Sequence, residues 1–413
     1  MVYSEELIAR RMEVTQFRLN ETLGTADWLD ANGKSVALRV DPARERGRLV
    51  VQFGAADGDV AARAAEAVAR YASGVDLNMG CPKPFSAGNG MGSALMRDPA
   101  RAASIVKAMR RATPADVAVT AKIRLRETEA ATMDVCRALQ AAGAAAIAVH
   151  CRYVGDDPPK DPPQLPSQRS LFSRLRSEHA AFREDCALLA NGDLYTPAAV
   201  AAACAGEGRA DGVLVARPAL LDCSAIFRTD ADRRPRLAVL RDYMRLARRY
   251  DAHHKNAKYV VMEMLAKRRH PAAAYGPFNA ADPLPGRVTI SAVSTAKSLR
   301  AIDDILGVDD IVETRPLVDA RDAISRDDRA YSDAYFADDD ARAARSDRCD
   351  VAASMPARFA TIMALRRARR ASASKTRAGL PPRPAKRSSK RGGRYAALAR
   401  RWKPMSRADG RGL

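Results

Sequence analysis

Short apolar runs alternate with alanine-rich amphipathic stretches over roughly the first half of the chain, the pattern of successive parallel βα units. The apolar runs predict strands at Val2–Tyr3 leading into Glu5, Leu49–Phe53, Gly74–Met79, Val117–Ile123, Ala144–His150, Cys186–Ala190 and Gly212–Ala216. Helices are predicted near residues 58–72, 99–112, 129–142, 169–181 and 196–205. Asp98-Pro99 and Thr196-Pro197 each read as an N-cap followed by proline in the first turn. From Arg236 the period changes. Leu237, Leu240, Tyr243, Met244, Ala247 and Tyr250 recur at helical spacing, and Tyr259–Lys267 reads as another helix.

Nearly every predicted strand closes on a polar side chain: Gln52, Asn78, Lys122, His150, Asn191 and Arg217. Six such residues predict a ring at the carboxyl face of a parallel barrel, where (β/α)8 enzymes carry their sites. A doubly wound open sheet competes, since it also binds ligands at strand carboxyl ends. The absence of a Gly-x-Gly-x-x-Gly after an early strand counts against it. Seven strands are counted where a closed barrel needs eight.

Charge divides the chain. The net +20 is concentrated from Pro356 onward, where 18 Lys and Arg face one acid, Asp409, and residues 1–355 retain only +3. The basicity therefore describes a Ser/Arg/Lys/Pro tail that cannot bury enough apolar surface to fold alone. The expected organisation is a barrel over 1–230, a helical domain over 231–310, an acidic linker over 311–355 and a basic disordered tail over 356–413. Seven cysteines at irregular spacing contain no Cys-x-x-Cys pair, so neither structural zinc nor a disulfide scaffold is indicated. No apolar run approaches the ~20 residues that span a bilayer. Expected, then, are a reducing intracellular compartment, no metal and no membrane partner.

Five places along the chain are candidates for chemistry. Cys81 follows the strand Val75-Asp76-Leu77-Asn78 in a loop with Gly80, Gly88, Gly90 and Gly92. A thiol with an ordinary pKa of about 8.5 keeps its proton at neutral pH and can act as acid or nucleophile; the competing reading is a cysteine with no role. Lys122 lies in the apolar run Val117-Ala118-Val119-Thr120-Ala121, on the face of Thr120 and Arg124. It is a cation for an electron-rich cofactor ring, a Schiff-base lysine, or a solvated strand end. His150 closes its strand two residues before Arg152, and the loop Asp156–Ser167 that follows is proline-rich. Asn191-Gly192-Asp193 and Ala216-Arg217-Pro218 close the last two strands, where barrels commonly hold phosphate.

Asn78-Met79-Gly80-Cys81-Pro82 resembles the signature of the tRNA dihydrouridine synthases, flavin enzymes that reduce a uridine in RNA. The similarity continues through Gly90-Met91-Gly92-Ser93-Ala94-Leu95, Lys122-Ile123-Arg124, Ala148-Val149-His150-x-Arg152 and Ala190-Asn191-Gly192, over residues 1 to about 268. Tyr3-Ser4-Glu5-Glu6-Leu7 and His253-His254-Lys255-Asn256-Ala257-Lys258-Tyr259 look most like the eukaryotic branch that acts on uridine 20. The resemblance implies FMN, reduced by NADPH or NADH, with tRNA as partner and a monomeric protein. It implies flavin contacts from Gln52, Asn78, Lys122 and His150, and phosphate contacts from Asn191, Gly192 and Arg217. Asn78, Arg152 and Lys83 would meet the RNA, and Cys81 would protonate C5 of the uridine after hydride reaches C6.

Three positions depart from the family. Its first strand, with a Pro-Met, has no counterpart, Cys151 separates His150 from Arg152, and Asp193 follows Asn191-Gly192. The barrel is therefore expected to lack its first strand, and the alternative function is an RNA-binding relative with impaired catalysis. A cytoplasmic location is expected, the tail also fits a nuclear one, and a missing start would hide an organelle leader.

Overall fold

The computed structural model describes residues 1–153, 165–221, 223, 224, 226, 234–266 and 283–308. After β1 (Val2–Ile8) and a helical turn, α1 (Ala9–Met12), residues 16–40 form a three-stranded antiparallel sheet. Its strands are β2 (Gln16–Asn20), β3 (Thr25–Leu29) and β4 (Val36–Val40). A second turn, α2 (Pro42–Glu45), returns the chain to the parallel sheet at β5 (Leu49–Gly54). Then come α3 (Gly58–Ala69), β6 (Gly74–Asn78), α4 (Pro84–Ala87), α5 (Pro99–Ala112), β7 (Ala118–Leu125), α6 (Glu129–Ala141) and β8 (Ala146–Tyr153). The unit closes with α7 (Leu165–Glu178), β9 (Ala187–Asn191), α8 (Pro197–Ala203), β10 (Gly212–Leu214) and α9 (Arg217–Leu221).

Strand order in the large sheet is β1-β5-β6-β7-β8-β9-β10, every pair parallel. This is the sequential order of a TIM-type α/β barrel, seven strands of it, with the antiparallel sheet inserted after the first. Helices start where side chains accept free amides: Asp57 from Val60, Asp98 from Arg101, Thr128 from Ala131 and Thr196 from Ala199. Pro99 and Pro197 supply the first turn of α5 and α8 as expected. Small residues at helical spacing on α3 (Ala61, Ala64, Ala65, Val68) are fully buried and allow close packing. Apolar strands covered on both sides explain why β6 is buried along its whole length.

The antiparallel insert was not expected from the sequence. Phe17, Trp28 and Tyr71 pack in tilted and edge-on contacts with centroids 5.2–5.7 Å apart and fasten it to the end of α3. Within it, buried Asp27 takes a bidentate pair from Arg39, at 2.8 and 2.7 Å, and hydrogen bonds from Thr25 and Asn20. Arg39 also donates to the carbonyl of Tyr250, whose hydroxyl donates to Asp41. That residue ends α10 (Arg236–Arg249), which with α11 (His254–Leu265), α12 (Ile290–Thr295) and α13 (Leu299–Leu306) builds a second core around Leu240, Met244, Val261, Val293, Ile302 and Leu306. The insert thus ties the helical region to the parallel sheet. Arg39→Ala leaves Asp27, 3% exposed, without its countercharge. A loss of about 3 kcal/mol in chemical denaturation is the expected result.

Helices expected over 237–250 and 259–267 are found, the second starting earlier, at His254. The acidic and basic segments from 311 onward and most of the Asp156–Ser167 loop lie outside the described residues. No helix among the described residues is long and apolar enough to cross a membrane.

Candidate active site

The floor of the site is a row of in-register residues. Gln52, Asp76 and Thr120 pair across β5, β6 and β7. Thr120 Oγ1 donates to Asp76 Oδ1 at 2.6 Å and Gln52 Nε2 to Asp76 Oδ2 at 2.8 Å. Asn78 Nδ2 reaches Gln52 Oε1 at 3.3 Å, and the Tyr3 hydroxyl stands 3.5 Å from Thr120 Oγ1. Complete burial pushes the Asp76 carboxyl up to about 6 despite these donors and nearby Lys122. One step along the strands, Lys122 pairs with Asn78. Burial lowers its ammonium to about 8, opposed chiefly by Asp76.

Cys81 follows on a turn that Asn78 organises. Asn78 Oδ1 accepts the amides of Gly80 (2.9 Å) and Cys81 (3.2 Å), an Asx-type cap over the end of β6. The Met79 amide donates to the Lys122 carbonyl and the Ser93 amide to the Cys81 carbonyl, at 2.8 and 2.9 Å. Gly92 has φ +56°, and a Cβ there would lie 2.5 Å from the Cys81 carbonyl oxygen, so only glycine lets the loop close. The free thiol is half-buried, and Lys83 is exposed at the rim.

A second cluster gathers around Asp193. Arg152, nine-tenths buried, contacts His150 Nε2 at 2.9 Å and donates to Asp193 Oδ2 at 2.7 Å. Arg217 pairs with Asp193 Oδ1, the Tyr195 hydroxyl donates to the same oxygen at 2.8 Å, and the Arg217 guanidinium lies 5.4 Å from the Tyr195 ring centroid. Guanidinium nitrogens only donate, so His150 Nε2 accepts and the imidazole proton sits on Nδ1. Burial, then the charges of Lys122, Arg124, Arg152 and Arg217, hold His150 neutral far below its ordinary range. Asp193 itself has φ +40°, unusual for a residue with a side chain.

The expected residues therefore fall into two adjoining sets: Gln52, Asn78, Lys122 and Cys81, then His150, Arg152, Asn191 and Arg217. Two expectations need correction. Lys122 and His150 do not end their strands, because β7 runs on to Leu125 and β8 to Tyr153. Arg217 opens α9 rather than closing β10, which stops at Leu214. Asn191 spends its side-chain amide on the Leu214 carbonyl, 2.6 Å away, pinning the edge strand. Tyr3, Glu6, Asp76, Thr120 and Tyr195 were missed, and Asp193 was named only within Asn191-Gly192-Asp193; an acid inside the apolar run Val75-Asp76-Leu77 was the readable signal.

The side chains present fit an anionic, electron-rich cofactor such as FMN. Among the described residues no hydrogen bond holds Lys122 Nζ. Arg152 Nε is buried without a partner, and Arg217 is more than a third exposed. Spare donors of this kind suit a ring edge at one end and a phosphate at the other. No group of acids, histidines and cysteines spaced for a metal occurs among the described residues.

A cysteine on a capped turn beside a half-buried lysine, at the carboxyl face of a parallel α/β barrel, defines the class: TIM-type barrels with a thiol at the mouth. The chain belongs to the dihydrouridine synthase (Dus) family, whose model matches residues 9–297. It is 31% identical over 249 residues to the tRNA-dihydrouridine(20) synthase (NAD(P)+) of Schizosaccharomyces pombe, covering 60% of this chain and 50% of that protein. It is 33% identical over 159 residues to the Saccharomyces cerevisiae protein of the same name, 37% of this chain and 41% of that one. A tRNA-dihydrouridine(16) synthase of Yersinia pestis is 44% identical over 98 residues, 24% of this chain and 31% of its own length. The chain spans about half the length of the first two relatives or less.

Proposed function

We propose that this chain binds FMN across the mouth of its parallel sheet and, with NADPH or NADH as reductant, reduces the C5–C6 double bond of a uridine in tRNA, at position 20. The observation that carries the proposal is the Cys81 thiol on the Asn78-capped turn, one strand from half-buried Lys122.

Bound there, FMN would supply the hydride that goes to C6 of the base. Gln52, Lys122 and the Nδ1–H of His150 would hold its ring, with the lysine cation opposing negative charge. Gly192, Arg152 and Arg217 would hold its phosphate, Asn191 acting by keeping β10 in place. Asn78 orients the turn, and Cys81 gives its proton to C5. The uridine must leave its stack to reach this depth. Lys83 at the rim and helices α10 to α13, of which α10 carries Arg245, Arg248 and Arg249, would take the RNA backbone, and the basic segment from 356 would add salt-sensitive affinity. We take the protein to be a monomer in the cytoplasm, with the nucleus as a second location.

The test is to mix the purified chain with FMN, read flavin absorbance after desalting, then add NADPH and unmodified tRNA and look for dihydrouridine by nucleoside mass spectrometry. Retained flavin and new dihydrouridine are expected. RNA binding without flavin retention would instead select the impaired relative.

A further inference from the structure

We propose that Asp76 is a positioning residue for Cys81: through the side-chain amides of Gln52 and Asn78, its carboxylate fixes the turn that carries the cysteine. The proposal deepens the function given above, and its first test reads the turn without any reaction.

An acid has no packing reason to stand inside β6. Asp76 is fully buried there, and an ionised group in such a place is costly unless its oxygens are answered. The sheet register answers them. Gln52 and Thr120 lie directly beside Asp76 on β5 and β7. Thr120 donates to Oδ1 at 2.6 Å and Gln52 Nε2 to Oδ2 at 2.8 Å. The Tyr3 hydroxyl stands 3.5 Å behind Thr120 Oγ1. Asn78, two residues on, shares the face of Asp76, and its Nδ2 reaches Gln52 Oε1 at 3.3 Å. Its Oδ1 accepts the backbone amides of Gly80 and Cys81 at 2.9 and 3.2 Å.

These bonds form one chain with fixed ends. A backbone N–H only donates, and a carboxylate only accepts. Burial raises Asp76 to about 6, so it is a carboxylate at neutral pH. Gln52 must therefore turn Nε2 to Asp76 and Oε1 to Asn78. Asn78 must then turn Nδ2 to Gln52 and Oδ1 to the turn. Each amide has two ways round, and only one pair of choices satisfies both ends. Reversing Gln52 alone sets its Nε2 against Asn78 Nδ2. Reversing Asn78 as well sets Nδ2 against two backbone N–H groups. Either reversal leaves a buried donor without an acceptor. Asp76 thus holds Gln52 and Asn78 in one orientation, and Asn78 in turn holds the peptide of Cys81.

The experiment measures amide hydrogen exchange residue by residue in the full chain without tRNA. In Asp76→Leu, exchange at Gly80 and Cys81 is expected to be several-fold faster than in the parent. The amides of Ile147 and Val149 in β8, two strands away, should keep their rates and so report an intact sheet. Gln52→Leu breaks the same chain at its middle link and should free the same two amides, which keeps the test open if Asp76→Leu does not fold. Asp76→Asn is the conservative rescue. Its carbonyl can accept from Gln52 and its amide can donate to Thr120 Oγ1, so parent exchange rates are expected. A role as plain countercharge to Lys122 would make asparagine as harmful as leucine, and that result overturns the proposal. Parent rates at Gly80 and Cys81 in both Asp76→Leu and Gln52→Leu overturn it equally. With tRNA as substrate, Asp76→Leu should lower kcat several-fold at unchanged KM, and Asp76→Asn should restore it; a parent kcat despite faster exchange overturns the catalytic half. Faster exchange in the variants of a chain whose parent reduces no uridine leaves the link from Asp76 to the turn standing and rejects the function above.

Discussion

Cys81→Ala is expected to slow uridine reduction by about a hundredfold or more, the usual scale for a lost general acid, while FMN binding stays as in the parent. The separation follows from how the loop is held. The turn depends on the backbone of Cys81, whose amide reaches Asn78 and whose carbonyl takes the Ser93 amide. The side chain fills no core position and is half-buried at the mouth. Alanine therefore removes the proton and little else. Cys81→Ser restores little, because an aliphatic hydroxyl is a far weaker acid than a thiol. The measurement is single-turnover reoxidation of reduced flavin by tRNA, with dihydrouridine counted in the product. A variant that oxidises its flavin with tRNA at the parent rate would remove Cys81 from the chemistry.

The sevenfold strand pattern was legible because buried parallel strands are written as continuous apolar runs, and Leu49–Phe53 or Gly74–Met79 need no partner to be read. What lay hidden depends on pairing. Asp27 in Thr25–Leu29 looks like a loop residue until Arg39, twelve positions on, is seen to neutralise it. Gly33 beside Asn32 was a turn signal for β3 and β4 that went unused. Strand parity correctly put Lys122 with Thr120, yet it mis-assigns β1, where the bulge exchanges Glu5 for Glu6. Asp193 was noticed only as an oddity after Asn191-Gly192. Its role as common acceptor for Arg152, Arg217 and Tyr195 needs three strands brought side by side. Arg217 was expected to be free for phosphate, and the structure gives it a carboxylate to share.

Lys122→Met is expected to lower flavin reduction and uridine reduction together by about a hundredfold, the scale for removing one donor from a preorganised charge-stabilising site. The wild type should show the same dependence through pH. Its half-buried ammonium, lowered to about 8, is charged below that value and neutral above it, so activity falls on the alkaline side. Lys122→Arg keeps its charge and should extend that limb upward. Stability moves the other way. Between about 8 and the ordinary lysine value of 10.5 the unfolded chain holds the Lys122 proton and the folded chain does not. Unfolding then takes up a proton, and stability rises with pH across this window; below it the burial cost is complete. Asp76 gives the mirror image. Raised from 3.8 to about 6, it makes the folded chain hold the extra proton in that interval, and stability falls as pH climbs through it. The pair therefore costs most between about 6 and 8, where both groups are charged. Denaturation midpoints of the parent and Lys122→Met, compared from pH 7 to 10, read this directly. Their difference should change with pH above about 8, and a constant difference would show that Lys122 is not buried as a cation.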